Sequence, residues 1–431
     1  MSSVPSVVNP SYAFPNPMKT ARNLLILLTA INLVNYIDRS VVAAVLDPLG
    51  QGLSLDNAQL GSLTFVFLIV YMIAAPIFGV LADRYHRPRL VAAGVALWSL
   101  ATAGAALVHS YHGLLFTRSL VGVGEAAYAV MGPALLADSF PEDERASKFT
   151  WFYMALPIGY ALGYGVGGTL AEHFGWRSAF MVVGLPGLIF AGWMAMQPDP
   201  VRGGFDTLKD TVQGEPFFQR LGAIFKNRIW VACTVSYVAY TFAMGSLSVW
   251  APTLLVRRFE ATLSGAGRSF GIIVLITGFV GTFLGGMLTT KLQKRFPDAG
   301  VWLSGLTLLA SVPLVMWSLR SGNLNLVYGL FFGALLLLFV NTSPVNALTV
   351  SCLPASVRAT GTAVNVFFIH LLGDAISPTL IGARTDHLQA AGVEPGLALA
   401  RGMMIVVPAL IVSGVALWFA RGWTPGHSSE A

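Results

Sequence analysis

ARNLLILLTAINLVNYIDRSVVAAVL, residues 21–46, is an apolar run long enough to cross a bilayer, and beyond its middle it carries Asn32, Asn35, Tyr36, Asp38 and Arg39. A charge at the centre of a membrane helix costs about 2.5–3.5 kcal/mol even on lenient insertion scales. The adjacent Asp38 and Arg39 must therefore face protein or water, and they mark a site around which the rest of the chain is organised.

Composition points the same way. Of the 431 residues 55% are hydrophobic and only 11% charged, with a mean hydropathy of +0.69, whereas soluble domains carry about 25% charge. The apolar residues come in blocks of roughly 20 or more, the length that spans ~30 Å of hydrocarbon. A net charge of +6 does not indicate nucleic acid, because the Lys and Arg residues sit in short loops and form no continuous basic face. Cys233 and Cys352 are too few and too far apart for a disulfide framework or a CxxC metal site, and they read as packing residues. The first 20 residues are polar and proline-rich, lack a signal-peptide pattern, and are expected to form a disordered cytoplasmic tail.

Twelve spans are expected, at about 21–46, 57–82, 88–108, 111–137, 146–172, 176–197, 228–256, 266–292, 300–319, 323–352, 357–386 and 394–421. With the amino terminus inside, 17 of the 26 Lys and Arg residues fall on the side of the two tails. Seven fall on the other side, and Arg39 and Arg118 lie within the membrane. That asymmetry predicts cytoplasmic termini in a multi-pass inner (plasma) membrane protein. The division expected is a six-helix bundle over 21–197, a cytoplasmic linker over 198–227, a second bundle over 228–421 and a short tail over 422–431.

The two halves resemble each other. Asp47-Pro48 ends the first span as Ala251-Pro252 ends the seventh, and Phe140-Pro141-Glu142-Asp143-Glu144-Arg145-Ala146 parallels Leu353-Pro354-Ala355-Ser356-Val357-Arg358-Ala359. Two six-span repeats joined by a linker resemble the major facilitator architecture, an all-α membrane fold whose substrate site lies near the midplane between the repeats. The loop Gly79-Val80-Leu81-Ala82-Asp83-Arg84-Tyr85-His86-Arg87-Pro88-Arg89 resembles that superfamily's signature between helices two and three, with His86 where Gly is usual. It implies a conformational latch built on Gly79, Asp83, Arg84 and Arg87. In it Asp83 would cap a helix start and pair with a basic neighbour until the halves rock. A plain topogenic loop would need only the arginines.

The fourth span carries Arg118 and Glu125, seven residues apart and so on nearly the same face, about 10 Å apart along the axis. With the first span running outward and the fourth inward, Asp38, Arg118 and Glu125 are expected to form one network, working residues of a cavity or else a buried ion cluster that fixes packing. Arg39 ranks below them, since it could point to a neighbouring helix. The repeat-matched positions of the second half are Phe242, Phe331 and Leu338. One polar and one apolar wall would suit an amphipathic substrate, although each of these three residues could simply pack. In the fifth span Pro157, Gly159, Gly163, Gly167 and Gly168 read as a close-packing stripe. Asn341, Thr342, Ser343, Pro344 and Asn346 form a polar cluster in the tenth span, a gate or a static kink. In the eleventh, His370 and Asp374 stand one turn apart, sharing a proton or only packing. Asn35, Tyr36 and Tyr128 complete the candidate set.

Asn35-Tyr36-Ile37-Asp38-Arg39, Thr117-Arg118 through Gly122-Val123-Gly124-Glu125-Ala126, and His370-Leu371-Leu372-Gly373-Asp374 with Ser377-Pro378 together resemble the Spinster family of the major facilitator superfamily, in a bacterial member. The resemblance implies proton-linked transport of sphingolipid- or lysophospholipid-like amphiphiles, with Asp38, Arg118 and Glu125 as working residues. A proton-coupled symporter of small organic anions, clamped by Arg118, is the competing carrier. A membrane enzyme is not expected, because His370 with Asp374 lacks an evident Ser or Cys partner. No cofactor and no metal are expected either: GxxxxGK[ST] is absent, and the carboxylates lack His or Cys at ligand spacing. The expected partners are the substrate, protons and membrane lipids, around a monomer.

Overall fold

A computed structural model describes residues 17–204, 217–353 and 355–421. Its helices group into twelve spans: α1 (Pro17–Ala44, continued by Leu46–Leu53), α2 (Asn57–Arg84), α3 (Arg87–Ala105), α4 (Tyr111–Ala137), α5 (Glu142–Phe174) and α6 (Trp176–Gly184 with Pro186–Ala195) form the first half. The second half is α7 (Arg228–Phe259), α8 (Leu263–Gln293), α9 (Ala299–Arg320), α10 (Leu324–Val340 with Thr342–Ser351), α11 (Ala355–Phe368, a π-helical turn Ile369–Asp374, and Ile376–Ala390) and α12 (Pro395–Met403 with Val406–Ala420). Among the described residues ten of these spans are long and apolar enough to cross a membrane. The other two, α3 and α5, open on charged residues, Arg87 and Arg89 in α3 and Glu142, Asp143, Glu144, Arg145 and Lys148 in α5. This is the twelve-span fold expected from the apolar blocks.

Local differences have local causes. The first helix starts at Pro17, within the stretch assigned to a tail, because proline with its fixed φ suits a first helical position; residues 1–16 and 422–431 lie outside the described set. The helix breaks at Val45, three residues before Pro48, which has no N–H to continue the ladder. Within the stretch read as linker, Phe217–Lys226 is a helix, and its Ile224 is buried with Trp230, Leu353 and Val357.

In the first half α4 packs on α2 and α3, and α5 on α1. In the second half α12 packs on α7 and α9, and α10 on α8 and α9. The halves meet where α5 crosses α8, α2 crosses α11 and α1 crosses α7. Two glycines, Gly163 of the α5 stripe and Gly267 of α8, explain two of these approaches. A Cβ on Gly163 would stand 2.0 Å from Ser40 Oγ and 2.5 Å from Ile37 O, so α5 lies directly on the backbone of α1. A Cβ on Gly267 would stand 2.2 Å from Tyr164 O, so α8 lies as closely on α5.

At the end remote from the linker the halves are clasped. Arg257 Nε lies 2.6 Å from Asp47 Oδ1 and its Nη1 2.6 Å from Asn57 Oδ1. Asp386 accepts from the Asn57 backbone N–H at 3.0 Å, the Asn57 side-chain amide at 2.6 Å and the Ala58 N–H at 2.8 Å, so a residue of α11 caps the start of α2 from the opposite half. Glu172 accepts the Ser264 N–H at 2.7 Å, and the Tyr164 hydroxyl donates to Ser248 O at 2.8 Å. Toward the linker side, Phe149 and Tyr153 of α5 and Phe279 and Phe283 of α8 line the mouth of a cavity between the halves.

Candidate functional site

The cavity measures about 960 Å³. Aromatic and aliphatic side chains make up most of its wall, among them Phe67, Tyr160, Tyr164, Tyr237, Tyr240, Phe270 and Phe339. Arg39, Arg118 and Glu125 enter from the first half and Asp374 from the second.

Asp38 and Arg39 are sequence neighbours on α1, so their side chains leave the helix ~100° apart and meet different partners. Asp38 is 1% exposed. Its Oδ2 accepts a hydrogen bond from Thr102 Oγ1 at 2.7 Å, and its Oδ1 stands 4.0 Å from Arg118 Nη2. Arg39 turns the other way and donates through Nε to Glu125 Oε2 at 2.6 Å. Its guanidinium carbon lies 5.5, 5.3 and 5.3 Å from the ring centres of Tyr36, Phe67 and Tyr71, an aromatic cage around a cation. Glu125 is 1% exposed, with Asn35 beside its carboxylate.

The contacts divide the expected network and add Arg39 to it. Arg39 bonds Glu125 and Arg118 stands beside Asp38, while Asp38 stays within electrostatic reach of both Arg39 and Glu125; Arg39, ranked lowest, holds the shorter contact. Arg118 is 5% exposed, yet among the described residues it makes no hydrogen bond; its Nε and Nη2 are buried without a hydrogen-bond partner, Nη2 meeting Asp38 only at 4.0 Å, and its guanidinium carbon lies 5.5 Å from the Phe180 ring. A guanidinium carries five donors in a planar fork suited to carboxylate and phosphate. Arg118 thus stands in the cavity wall with its donors unspent.

The second half brings His370 and Asp374 together on the π-helical turn of α11, His370 Nδ1 lying 3.1 Å from each carboxylate oxygen. A π-turn widens the helix and often marks a functional position. It carries Asp374 to the cavity wall and sets the His370 ring edge-on to Tyr71 of the opposite half, 6.2 Å between centres. On α10, Thr342 and Asn346 line the cavity, Thr342 Oγ1 standing 3.3 Å from Tyr240 OH and Asn346 Nδ2 donating to Tyr237 OH at 3.0 Å. Asn341 sits at the break between the two segments of α10, fully buried, neither side-chain atom hydrogen-bonded among the described residues.

Several residues fall elsewhere than expected. Tyr128 is not on the cavity wall; its hydroxyl donates to Leu28 O at 2.7 Å and its ring meets Trp98 edge-on, which makes it a packing residue between α4 and α1. Phe331 and Leu338 are buried in the core of the second half and do not face the cavity, and Phe242 is not on its wall. The apolar side of the cavity comes instead from aromatic residues one helical face away. In the loop after α2, Asp83 caps no helix start: it lies in the last turn of α2, exposed, with no partner for its carboxylate among the described residues, and its backbone carbonyl accepts from Arg202. Arg87 is the one in a clasp, with Nη1 2.5 Å from Asp138 Oδ2 and Nε 2.8 Å from Asp199 Oδ1. Nothing crowds Gly79, and Arg84 is exposed.

The aromatic cage and Thr102 were missed by the reading of the sequence. Tyr160 and Tyr164, four apart, and Tyr237 and Tyr240, three apart, each present a pair on one helical face, a spacing that could have flagged the cavity wall.

Two six-span halves around a central cavity, clasped at one end and lined by mouth residues at the other, define a transporter that works by alternating access. The sequence model of the Major Facilitator Superfamily matches residues 28–378. The chain is 34% identical over 388 residues to protein spinster homolog 1 of Homo sapiens, covering 85% of this chain and 73% of that protein. It is 33% identical over 384 residues to protein spinster of Drosophila melanogaster, covering 86% of this chain and 63% of the fly protein's length. In fold it is similar to the crystal structure of a bacterial homolog to the human lysosomal transporter Spinster, in an inward-facing and unoccupied conformation, with a TM-score of 0.79 and 23% identity over 94% of this chain and 96% of that one. A D-xylose–proton symporter shares the fold at a TM-score of 0.73 and 16% identity, over 92% of this chain and 97% of the symporter. The chain belongs to the Spinster family of the major facilitator superfamily.

Proposed function

We propose that the protein carries an amphipathic anion, of lysophospholipid or sphingolipid type, across the cytoplasmic membrane in a proton-linked cycle. The observation that carries this reading is Arg118, a buried guanidinium without a hydrogen bond, on the largely aromatic and aliphatic wall of a cavity of about 960 Å³. Ligand pockets run from about 300 to 1,000 Å³. A short carboxylate would leave most of this one unfilled, whereas a charged head with a hydrocarbon tail would use both the cation and the aromatic wall.

The two pairs suggest a division of labour. Arg118 is held only loosely by Asp38, at 4.0 Å, and is free to take an anionic head. Glu125 is bound to Arg39 at 2.6 Å, and a proton on Glu125 would cancel the charge that fixes Arg39 beneath its cage. Proton uptake would then loosen α1 from α4 within the first half, beside the cavity that the substrate enters. In this reading the linker side is cytoplasmic, as the basic asymmetry favours. The moving bodies are residues 21–197 and 228–421 of a monomer, and the loop after α2 is the latch, with Arg87 holding the present state and Asp83 waiting for a partner in the other.

The test is uptake by liposomes of purified protein, offered a lysophospholipid and a short organic acid side by side, with and without an imposed pH difference. Saturable, pH-driven movement of the lysolipid alone is expected. Movement of the short acid alone would replace this reading with the organic-anion symporter.

A further inference from the structure

A second cavity, of about 580 Å³, opens on the linker side of the first half between the start of α1, the loop before α3 and the end of α6. Thr20, Asn23, His86, Arg89, Met196 and Gln197 line it, and among the described residues no carboxylate does. Its polar character comes from side chains, because the backbone donors at the start of α3 are already engaged: the Arg87 N–H is bound to Asp199, and the Arg89 and Leu90 N–H groups to His86 O. Arg89 is exposed, and its guanidinium has no ion pair among the described residues. His86 Nδ1 is buried with no hydrogen-bond partner among the described residues.

The surroundings are those of a membrane interface. Val182, Leu185, Ile189 and Trp193 are exposed at spacings of three and four on α6, an apolar stripe that runs down the helix and ends on exposed Met196 at the rim of the pocket. On α1, exposed Ile26 stands one turn above Asn23. A basic pocket at headgroup level beneath an apolar stripe is the arrangement that holds an anionic lipid.

We propose that this pocket binds the phosphate of an anionic glycerophospholipid from the linker-side leaflet. Arg89 pairs with the phosphate, Asn23 and Gln197 bond to the polar headgroup, and an acyl chain lies along the α6 stripe. The site is separate from the central cavity. It also bears on the clasp next to it: His86 and Gln197 flank Arg87 and Asp199, which are 2.8 Å apart, so a bound headgroup would bridge the same two segments and reinforce that cross-link.

Native mass spectrometry of the full chain, equilibrated with equal amounts of phosphatidylglycerol and phosphatidylcholine of the same acyl chains, tests this. Wild type should retain phosphatidylglycerol preferentially. One basic residue at a membrane surface is worth about a five-fold change in binding, so Arg89→Gln should lower phosphatidylglycerol occupancy by about that factor while Arg89→Lys keeps most of it. Arg295→Gln, an exposed charge on the same side of the other half, should leave it unchanged, and Arg118→Gln distinguishes any lipid held in the central cavity. Equal retention by Arg89→Gln and wild type would overturn the proposal. So would an equal loss in Arg295→Gln, which would mean diffuse charge, or a loss in Arg118→Gln alone, which would place the lipid in the cavity. Displacement of the lipid by millimolar inorganic phosphate would make this a site for a soluble anion.

Discussion

Replacing Arg118 by Gln separates an anion-binding role from a packing role. The pair with Asp38, at 4.0 Å, has a gross Coulomb attraction of about 4 kcal/mol at an effective dielectric of 20. Desolvation of both charges offsets much of that, and no hydrogen bond is lost because none is made. Asp38 keeps its bond from Thr102 after the substitution. Asp38, 1% exposed, loses its counter-ion, but the long 4.0 Å contact and the retained Thr102 bond keep the cost to the ligand-free protein below the about 3–5 kcal/mol of a broken close pair. Substrate binding should suffer as well. A hydrogen bond to a charged group contributes about 1.5–3 kcal/mol, so loss of the guanidinium should weaken affinity by at least about 10- to 150-fold. Arg118→Lys keeps the charge near Asp38 but loses the planar fork and should fall between, at about ten-fold. The assay is a lysolipid titration followed by thermal shift, which reports both the melting temperature of the free protein and its rise with ligand. Affinity of Arg118→Gln within three-fold of wild type, or a drop in ligand-free melting temperature as large as the one caused by breaking the Arg39–Glu125 pair, would refute the reasoning.

Glu125→Gln removes the partner of a buried cation; losing one member of such a pair costs about 3–5 kcal/mol, here reduced because the aromatic cage and the cavity still face Arg39. It should retain downhill exchange in liposomes and lose accumulation driven by an imposed pH difference, and full accumulation would move the proton to Asp38 or His370. Tyr128→Phe should cost about 1 kcal/mol for the lost bond to Leu28 O and leave transport rates intact, and a transport defect at unchanged stability would return Tyr128 to the site. Arg87→Gln breaks contacts to both Asp138 and Asp199 and should lower the melting temperature, whereas Asp83→Asn should leave it alone but slow turnover; equal melting losses in both variants would contradict the assignment of the clasp to Arg87. Asp386→Asn should raise alkylation, from the side remote from the linker, of a cysteine placed at Ala43 in a protein whose Cys233 and Cys352 are Ser, and unchanged labelling would show that the trans cap does not hold that end closed.

The spans were legible because a bilayer demands about twenty apolar residues in a row and tolerates charge only where it has a partner. The same logic singled out Asp38, Arg39, Arg118 and Glu125 from one chain without a structure. Their pairing was not legible. Spacing along α4 puts Arg118 and Glu125 on one face, but it does not say how α1 is rotated against α4 and α3, and that rotation sends Asp38 toward Thr102 and Arg118 while Arg39 takes Glu125. Tyr128 misled for a related reason. Three residues after Glu125 it shares roughly that face, yet its long side chain reaches past the cavity to a backbone carbonyl of α1. The matched positions Phe331 and Leu338 failed through orientation: repeat symmetry carries register from one half to the other, but the inward face of α10 is set by its own packing on α8 and α9. The π-helical turn at Ile369–Asp374 has no signal in composition or periodicity, although it decides that Asp374 reaches the cavity.

The clasp at the far end shows how such a fold stays closed without being locked. Asp386 takes three hydrogen bonds from Asn57 and Ala58, and Arg257 gives one each to Asp47 and Asn57. At about 1.5–3 kcal/mol for each bond to a charged group, the gross attraction is large. On opening, each of these groups meets water and recovers most of it, and the start of α2 can still be capped from its own side by Asp56, which accepts the Gln59 N–H at 2.7 Å. An apolar seal of the same area would not recover its loss in this way, because exposure to water is what burial avoids. The polar clasp therefore leaves only a few kcal/mol between closed and open, the range in which a substrate with different affinities for the two states can shift the population. The deeper crossing between the halves, where Gly267 of α8 lies on Tyr164 of α5, is backbone-close, so the two helices can roll or slide there without tearing an interdigitated core. Rocking of the halves thus needs the far clasp to exchange protein partners for water, while this glycine-lined crossing acts as the pivot.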